Sequence, residues 1–362
     1  MTRPGSEVRA VALYLPQFHP DPRNDQAWGP GFTEWHNVVG ARPRFRGHVQ
    51  PKLPGELGFY DLRLSATRER QAELAASAGI DAFAYYHYWF GDGRRALHRP
   101  FDEVLSSGRP AHGFCLVWAN HDWNTATWSS RRARGAQSIA RQRYSVEDVS
   151  RHFEAILPAL RDERAVTVDG LPVFAVHDAP SIPSELRFAE RFRELADRAG
   201  LAGLHLVAMN GEDPRPLGFD ASHDTSKRLF RTVRSERLRS PSYVARRIVR
   251  RHYRLNYSDL TEELRNLPEA EWRAHSMVVT GWDDTARRGS GSLVVTGYEP
   301  DALADQVSVA VERLQARGED SLLFVKSWNE WGEGNYLEPD ADLGSTMLDA
   351  FGEAFAAVRS QR

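Results

Sequence analysis

The amino-acid sequence predicts an α/β fold, a single (β/α)₈ barrel of the TIM type. Short apolar segments recur eight times along the chain, and most are separated by segments that suit helices. This alternation is typical of a parallel sheet that is covered on its outer side. At 362 residues the chain is long enough for one barrel-sized domain, and we assign residues 1–362 to it. The eight predicted strands are 9–18, 80–89, 112–118, 172–177, 204–209, 219–223, 277–282 and 322–328.

Helical segments follow most of these strands. The predicted helices are 64–78, 146–160, 185–199, 259–273, 301–317 and 345–358. The sixth strand, 219–223, is short, and about forty basic, poorly periodic residues follow it, so we expect a helical insertion there. Residues 19–60 include a segment rich in glycine and proline, and they predict a long first βα loop. Long loops in compact domains are usually functional, so we expect this one to form a wall over the site.

Polar and aromatic residues follow almost every predicted strand. The carboxyl ends of barrel strands meet on one face, so these side chains should gather at one site. His87 and Trp89 are chosen on the second strand because alternate residues share a side. Glu34 and Trp35 either contact substrate or only pin the first loop. The candidate substrate-binding residues are Tyr14, Gln17, His19, Glu34, Trp35, His87, Trp89, Trp118, Asn120, His121, Asp122, Trp282, Asp283, Trp328, Asn329 and Trp331.

Two carboxylates after the eighth strand, Glu330 and Glu333, are the candidate catalytic residues. Cleavage of a glycosidic bond needs a protonated acid for the leaving oxygen and an ionised carboxylate for the anomeric carbon. Neighbouring tryptophans at positions 328 and 331 would stack on sugar rings. Burial against them should raise the pKa of one carboxylate. The alternative is a pair of carboxylates that caps the strand end or forms salt bridges, and Glu338 is a third, weaker candidate.

The spacing of the pair makes a structural demand. Along a straight strand an odd separation sends two side chains to opposite faces. Glu330 and Glu333 can therefore converge only if the chain turns after Glu330, and Gly332 and Gly334 permit such a turn. At the seventh strand end, Asp283 either binds sugar hydroxyls or caps the following turn.

Composition excludes several classes of function. Charged residues make up 27% of the chain and apolar residues 41%, and no apolar run approaches the roughly 20 residues of a membrane span. With no apolar leader near the N-terminus, we expect a cytoplasmic protein. Cys115 is the only cysteine, which excludes an intramolecular disulfide. No metal and no cofactor are expected, because His-Glu-x-x-His, glycine-rich dinucleotide and P-loop motifs are absent.

One segment, from Lys227 to Arg254, is strongly basic. Such a run is usually a solvated helix face. The functional alternative is docking to an anionic glycan, a lipid-linked carrier or a membrane surface. Nucleic-acid binding is not indicated, since no nucleic-acid-binding motif accompanies the arginines. The sequence does not predict the oligomeric state.

Several motifs together resemble the WbsX-like family. That family is described as glycosyltransferases of surface-polysaccharide synthesis and is grouped with glycoside hydrolase family 99, the endo-α-mannosidase-like enzymes. The resemblance covers nearly the whole chain. The motifs that carry it are Leu13-Tyr-Leu-Pro-Gln-Phe-His19, Trp28-Gly-x-Gly-Phe-Thr-Glu-Trp35, Gln50-Pro-x-Leu-Pro54, Gly58-Phe-Tyr-Asp-Leu-Arg63, Tyr85-Tyr-His-Tyr-Trp-Phe90, Trp118-Ala-Asn120, Gly281-Trp-Asp-Asp-Thr-x-Arg-Arg288 and Trp328-Asn-Glu-Trp-x-Glu-Gly334.

The resemblance implies a (β/α)₈ barrel that acts on mannoside-type glycans with retention of configuration. In family 99 a first glutamate removes the proton of the substrate's 2-hydroxyl, which attacks the anomeric carbon, while a second glutamate protonates the leaving group. Carried over, Glu330 would be the base and Glu333 the acid/base. The first strand lacks the aromatic-rich start of the characterised endo-mannosidases, which leaves the sugar open.

Three functions compete. The leading hypothesis is a retaining glycoside hydrolase or transglycosylase acting on mannoside-type or bacterial surface polysaccharides. The second is a glycosyltransferase of surface-polysaccharide synthesis of the O-antigen type, although the chain shows neither a doubly wound domain nor a metal-binding carboxylate motif. The third is a carbohydrate-binding barrel without catalysis, which would not need both Glu330 and Glu333.

Overall fold

The computed structural model describes residues 7–125, 137–225, 252–289 and 292–360. Within them, eight parallel strands close into a barrel in chain order, each strand pairing with the next and the eighth pairing with the first. All eight predicted strands are confirmed. The strands are β1 Val8–Tyr14, β2 Ile80–Trp89, β3 Gly113–Trp118, β4 Leu171–Val176, β5 His205–Ala208, β6 Ala221–Asp224, β7 Arg273–Val279 and β8 Ser321–Lys326.

Side chains alternate between two cores. On β1, Val11 and Leu13 belong to the cluster inside the barrel, whereas Ala12 and Tyr14 belong to the cluster between the barrel and the helices. The alternation arises because successive strand residues point to opposite faces of the sheet. Both layers are fully buried, so the strands read as nearly continuous apolar runs.

The helices surround the barrel. They are α1 Pro22–Trp28, α2 Trp35–Gly40, α3 Ser65–Ser77, α4 Arg99–Ser107, α5 Val146–Leu160, α6 Phe188–Arg198, α7 Tyr257–Arg265, α8 Thr285–Arg288, α9 Pro300–Arg317 and α10 Thr346–Arg359. The predicted helix 259–273 was too long: α7 ends at Arg265, Pro268 follows, and Arg273 already begins β7. A proline disfavours helical backbone at the residue before it, which accounts for the early end of α7. The nine-residue α4 was not predicted.

The long loop after β1 is confirmed and contains α1 and α2. The predicted insertion after β6 falls on residues 226–251, which lie outside the described residues, as does most of the segment from Lys227 to Arg254. In the described part of the chain, no helix combines the length and apolarity needed to cross a membrane.

Candidate active site

The chain turns sharply after β8. Asn329–Glu330 pairs antiparallel with Asn335–Tyr336, and a 3-10 turn, Trp331–Glu333, joins the two short segments. Gly334 ends the turn with a φ of 55°, in the left-handed region that glycine favours. The turn that the Glu330–Glu333 spacing demands is therefore present.

One guanidinium holds both glutamates. Arg287 Nη2 lies 2.6 Å from Glu330 Oε1, and Arg287 Nη1 lies 2.8 Å from Glu333 Oε1. Arg287 stands in the short helix α8, which follows β7. A planar guanidinium presents several N–H donors in fixed directions, so it can hold two carboxylates at one place.

A third carboxylate, Glu34 of the first loop, binds the same arginine. Its Oε2 accepts from Arg287 Nη2 at 2.6 Å, and Arg287 Nε pairs with its other oxygen. Gln17 donates from Nε2 to Glu34 and also to Glu330 Oε1 at 3.2 Å. The Glu34 carboxylate lies against the Trp331–Glu333 turn: a Cβ on Gly332 would overlap it and lie 2.7 Å from Arg287 Nε. Gly332 is thus required for close approach.

Charge is distributed unequally over this cluster. Burial raises the pKa of Glu330 to about 8, and the charges of Glu34 and Glu333 add to this against the opposing effect of Arg287. Burial acts in the same sense on Glu333, but Arg287, Lys326 and Arg288 outweigh it and lower the pKa of that carboxyl. Burial also raises the pKa of Glu34. At neutral pH the free site therefore carries a proton on Glu330 and a negative charge on Glu333.

The second strand presents different residues from those expected. His87, Trp89 and, on β3, Trp118 lie on the outer side of the barrel around His152 of α5: His87 Nε2 is 3.1 Å from His152 Nε2, and the Trp89 and His152 rings stack. The parity chosen for His87 and Trp89 is thus corrected. Side chains of β2 alternate between the two faces of the sheet. Ala82 and Ala84 point into the barrel interior, so the even-numbered residues that follow also point inward.

Tyr86 and Tyr88 are those inner residues. Both phenols lie close enough to Glu330 for its charge to raise their pKa, after burial as the main cause. The Tyr86 ring lies 6.1 Å from the ring of His177, which is 5.7 Å from that of His121. These rings form an aromatic surface next to the carboxylates, at the carboxyl ends of the strands. Small residues at positions 82 and 84 were the available signal for this parity.

The β3 and β4 ends are tied together by Asn120. Its Oδ1 accepts from Asp178 N at 2.8 Å, and its Nδ2 donates to Asp178 O at 2.8 Å. Asp122 is exposed and accepts from Gln142 N at 2.7 Å. Asn120 therefore orders the two loops, and His121 stands beside the aromatic surface formed with His177.

Asp283 and Asn329 fasten the first loop and the β1 end. Asp283 Oδ2 lies 2.7 Å from His48 Nε2, and the Asp283 backbone N donates to Glu333 O at 2.6 Å. Asn329 bonds both backbone polar groups of Leu15, at 2.8 and 3.1 Å. Asp283 also accepts from Thr285 N at 3.1 Å. This is the contact expected if Asp283 caps the turn that follows β7.

The tryptophans in and around the turn after β8 are buried and support it. Trp331 stacks on Tyr336 with ring centroids 3.7 Å apart and donates from Nε1 to Glu338 Oε2 at 2.7 Å. Trp35 lies 5.8 Å from Trp331 and donates to Tyr60 O at 2.9 Å. Trp328 packs on the outer side against Phe83 at 5.3 Å, and Trp282 is buried beneath Lys326, whose Nζ is 5.3 Å from the ring.

Three further candidates lie away from the cluster. Tyr14 donates to Gln71 Oε1 of α3 at 2.7 Å, on the outer side of β1. Glu338 accepts from Tyr60, Gln71 and Trp331 in the same outer layer, and burial raises its pKa to about 7. Burial lowers the pKa of His19 to about 4, against the nearby carboxylates of Asp21 and Asp61.

The structure therefore gathers Gln17, Glu34, Glu330 and Glu333. Sequence reasoning missed Arg287 and Lys326, although the quoted motif from Gly281 to Arg288 contains Arg287. In the described ranges, no group of three or more His, Cys, Asp and Glu side chains is arranged to hold a metal ion.

Comparison with known proteins identifies the family. The model of the family described as Glycosyltransferase WbsX matches residues 10–351. The chain belongs to the WbsX glycosyltransferase family. Membership places it among carbohydrate-active enzymes, and it confirms the resemblance carried by the motifs.

Curated relatives include the uncharacterized protein WxcX from two strains of Xanthomonas campestris pv. campestris. The identity is 34% over 353 residues in strain ATCC 33913 and 33% over 353 residues in strain B100. The match covers 95% of this chain but 49% of each relative. The chain thus spans about half the length of the curated relatives it matches.

Solved structures share the fold. The endo-α-mannosidase of glycoside hydrolase family 99 from Bacteroides thetaiotaomicron aligns with a TM-score of 0.58 at 14% identity, covering 99% of this chain and 100% of that one. A glycoside hydrolase-like protein aligns with a TM-score of 0.58 at 12% identity, covering 97% of this chain and 94% of that one. At these identities the likeness concerns the (β/α)₈ architecture.

Proposed function

We propose that this WbsX-family chain is a retaining glycoside hydrolase or transglycosylase that uses Glu330 and Glu333 as its acid/base pair. The observation that carries the proposal is the arrangement on Arg287, where one buried guanidinium holds both carboxylates. The pair combines a raised pKa with a lowered one. A protonated and an ionised carboxyl at one place are what glycosyl transfer requires.

The exposure of the two side chains supports one assignment of the roles. The Glu333 side chain is 20% exposed and that of Glu330 is 5% exposed. A general acid/base must reach first the leaving oxygen and then water or an acceptor, which favours Glu333. The buried Glu330 then acts as the base, as the resemblance also implies. In the free site the proton is on Glu330, the opposite of the proposed order. The proposed roles therefore require the proton to pass from Glu330 to Glu333 when the substrate binds.

The proposed reaction proceeds in two steps. Glu330 takes the proton of the substrate's 2-hydroxyl while that oxygen attacks the anomeric carbon, and Glu333 gives its proton to the departing oxygen. Glu333 then removes a proton from water or a sugar hydroxyl, which opens the 1,2-anhydro ring, and Glu330 returns the proton to the 2-oxygen. Two inversions give net retention.

The substrate is proposed to be a mannoside-type glycan or a bacterial surface polysaccharide. Tyr86 and Tyr88 support it, because they offer aromatic rings and hydroxyls beside the carboxylates. Gln17 and Lys326 add donors at the same place.

A second candidate is glycosyl transfer from an activated donor to a growing polysaccharide. The description of the matching family as a glycosyltransferase favours it. The same carboxylates would serve, with a sugar hydroxyl as the acceptor.

Turnover of a panel of mannose-rich and bacterial-polysaccharide oligosaccharides tests the proposal, without and then with nucleotide sugars. We expect cleavage without a nucleotide sugar, lost in Glu330→Gln and Glu333→Gln and kept in Glu73→Gln, an exposed residue of α3. Product that appears only with a nucleotide sugar would establish the second candidate. No turnover under either condition, in a folded protein, would contradict both.

An aryl glycoside with a good leaving group separates the two roles. The aryl group of such a substrate leaves without being protonated. The variant that lacks the acid should therefore keep much of its activity, whereas the variant that lacks the base should not. We expect the rescue in Glu333→Gln. Rescue in Glu330→Gln instead would exchange the two roles.

A further inference from the structure

A basic cluster lies beside the turn after β8. Arg44 of the first loop, and His252 and Arg254 before α7, are close enough for both arginine charges to lower the pKa of His252, after burial and His48. The Arg254 guanidinium lies 3.8 Å from the ring centroid of Phe45, which is 4.4 Å from the His48 ring. We call Arg44, His252 and Arg254 the basic rim.

The rim is connected to the acid/base pair by a short series of contacts. His48, which stacks on Phe45, bonds Asp283 at 2.7 Å, and the Asp283 backbone donates to Glu333 O at 2.6 Å. On the other side, Arg44 Nη2 would lie 3.6 Å from a Cβ on Gly289, two residues after Arg287. The rim therefore borders the site where glycosyl transfer is proposed to occur.

The positive charge of the rim is not neutralised within the described chain. Arg44 and Arg254 are exposed, and neither guanidinium makes an ion pair among the residues described. Of the neighbouring acids, Asp283 is engaged by His48, Gln50 and Thr285, and Asp284 pairs with Arg288 at 2.9 Å.

The rim also contains a buried polar atom without a hydrogen-bond partner among the described residues. His252 Nδ1 is buried and has no hydrogen-bond partner in the described ranges. Buried polar atoms are normally paired, so this ring nitrogen, which lies near the charges of two arginines, is open to a group from outside the described residues.

We propose that the basic rim is a phosphate subsite, which binds the phosphate or diphosphate of a glycosyl substrate while the sugar lies at Glu330 and Glu333. The inference rests on the proposed function and names its substrate class. Guanidinium groups bind phosphate through paired, charge-assisted hydrogen bonds, and two of them with an imidazole suit a group of more than one negative charge. The ionised Glu333 on Arg287 would repel such an anion, so the rim beside it is where the anion fits.

Titration calorimetry with inorganic pyrophosphate tests the subsite without any turnover. We expect binding to the wild-type chain that weakens about tenfold in Arg44→Gln and again about tenfold in Arg254→Gln, since hydrogen bonds to charged groups are of that size. Arg254→Lys should keep part of the affinity. Arg70→Gln is the matched control, because Arg70 is an exposed arginine of α3 that pairs with Glu56 and Glu73. A circular dichroism spectrum checks that each variant is folded.

A second readout follows His252 by NMR. Bound pyrophosphate should raise the pKa of this imidazole in wild type and not in the Arg44→Gln, Arg254→Gln double variant. An unchanged His252 titration, or equal weakening in Arg70→Gln, would overturn the subsite. Galacturonate that binds more tightly than pyrophosphate would overturn the assignment to phosphate.

Two competition experiments identify the source of the phosphate. A nucleoside diphosphate sugar that displaces pyrophosphate identifies a soluble donor, and a short prenyl diphosphate sugar that does so identifies a lipid-linked substrate. If neither displaces it, the glycosyl substrate class is wrong. Glu333→Gln should still bind pyrophosphate, because the rim does not include Glu333. A wild-type chain that binds pyrophosphate but turns over no glycan would overturn the proposed function alone, and a wild-type chain that turns over glycans without binding pyrophosphate would overturn this inference alone.

Discussion

Arg287 Nη2 lies 2.6 Å from Glu330 Oε1, and the same guanidinium also pairs with Glu34 and Glu333. Three carboxylates so close together would repel one another in a buried site, and the shared arginine reduces this repulsion. Its charge is secure, because its carboxylate neighbours raise the pKa of Arg287 although burial acts to lower it. The arginine is thus as much a part of the proposed site as the two glutamates.

Replacing Arg287 with methionine should lower both stability and activity. Removing one partner of a buried ion pair lowers the free energy of unfolding by about 3–5 kcal/mol, because the remaining charges stay buried without an opposite charge beside them. Urea unfolding measures the loss, and turnover should fall at least about a hundredfold. Arg70→Met is the control, since that arginine is exposed. A variant as stable and as active as wild type would show that the arginine is dispensable.

Gly332→Ala should disrupt the site, whereas Gly40→Ala should not. A Cβ at position 332 overlaps the Glu34 carboxylate, while a Cβ at Gly40 has nothing within 4 Å. Both glycines have backbone angles that alanine can adopt, so the two changes differ mainly in contact. We expect turnover to fall more than tenfold and stability to fall by about 1–3 kcal/mol at position 332. Equal effects at the two positions would contradict this geometry.

The raised pKa of Glu330 predicts how stability depends on pH. Its pKa rises from 4.5 to about 8 on folding, so the folded chain binds more protons than the unfolded chain between those values. The free energy of unfolding should therefore fall as pH rises through this window. Glu330→Gln removes this contribution, and its stability should decrease less between pH 5 and pH 8, values set by the same window. Parallel pH dependences in wild type and variant would mean that Glu330 does not hold its proton.

Neighbouring residues of β2 should have different functions. Tyr86 faces the carboxylates, so Tyr86→Phe should raise KM about fivefold through one lost hydrogen bond and leave the melting temperature nearly unchanged. His87 is buried on the outer side against His152, so His87→Ala should lower the melting temperature with little effect on KM. The reverse result would restore the parity first expected for His87 and Trp89.

The sequence by itself determined the barrel and the place of the turn between Glu330 and Glu333. A strand that is apolar along nearly its whole length must be buried on both faces. The recurrence of such apolar runs located all eight strands. The odd spacing of Glu330 and Glu333 required a turn, and Gly332 and Gly334 marked it. These features are local, so the order of residues along the chain is enough to show them.

The tertiary structure alone decided which side chains meet. Glu34 and Arg287 are 253 positions apart and bind each other because the first loop folds back over the ends of β7 and β8. The inward parity of Tyr86 and Tyr88 depends on how β2 pairs with its neighbours, since a shift of one residue exchanges the two faces. Such contacts are set by strand register and loop path, which a single stretch of sequence does not encode.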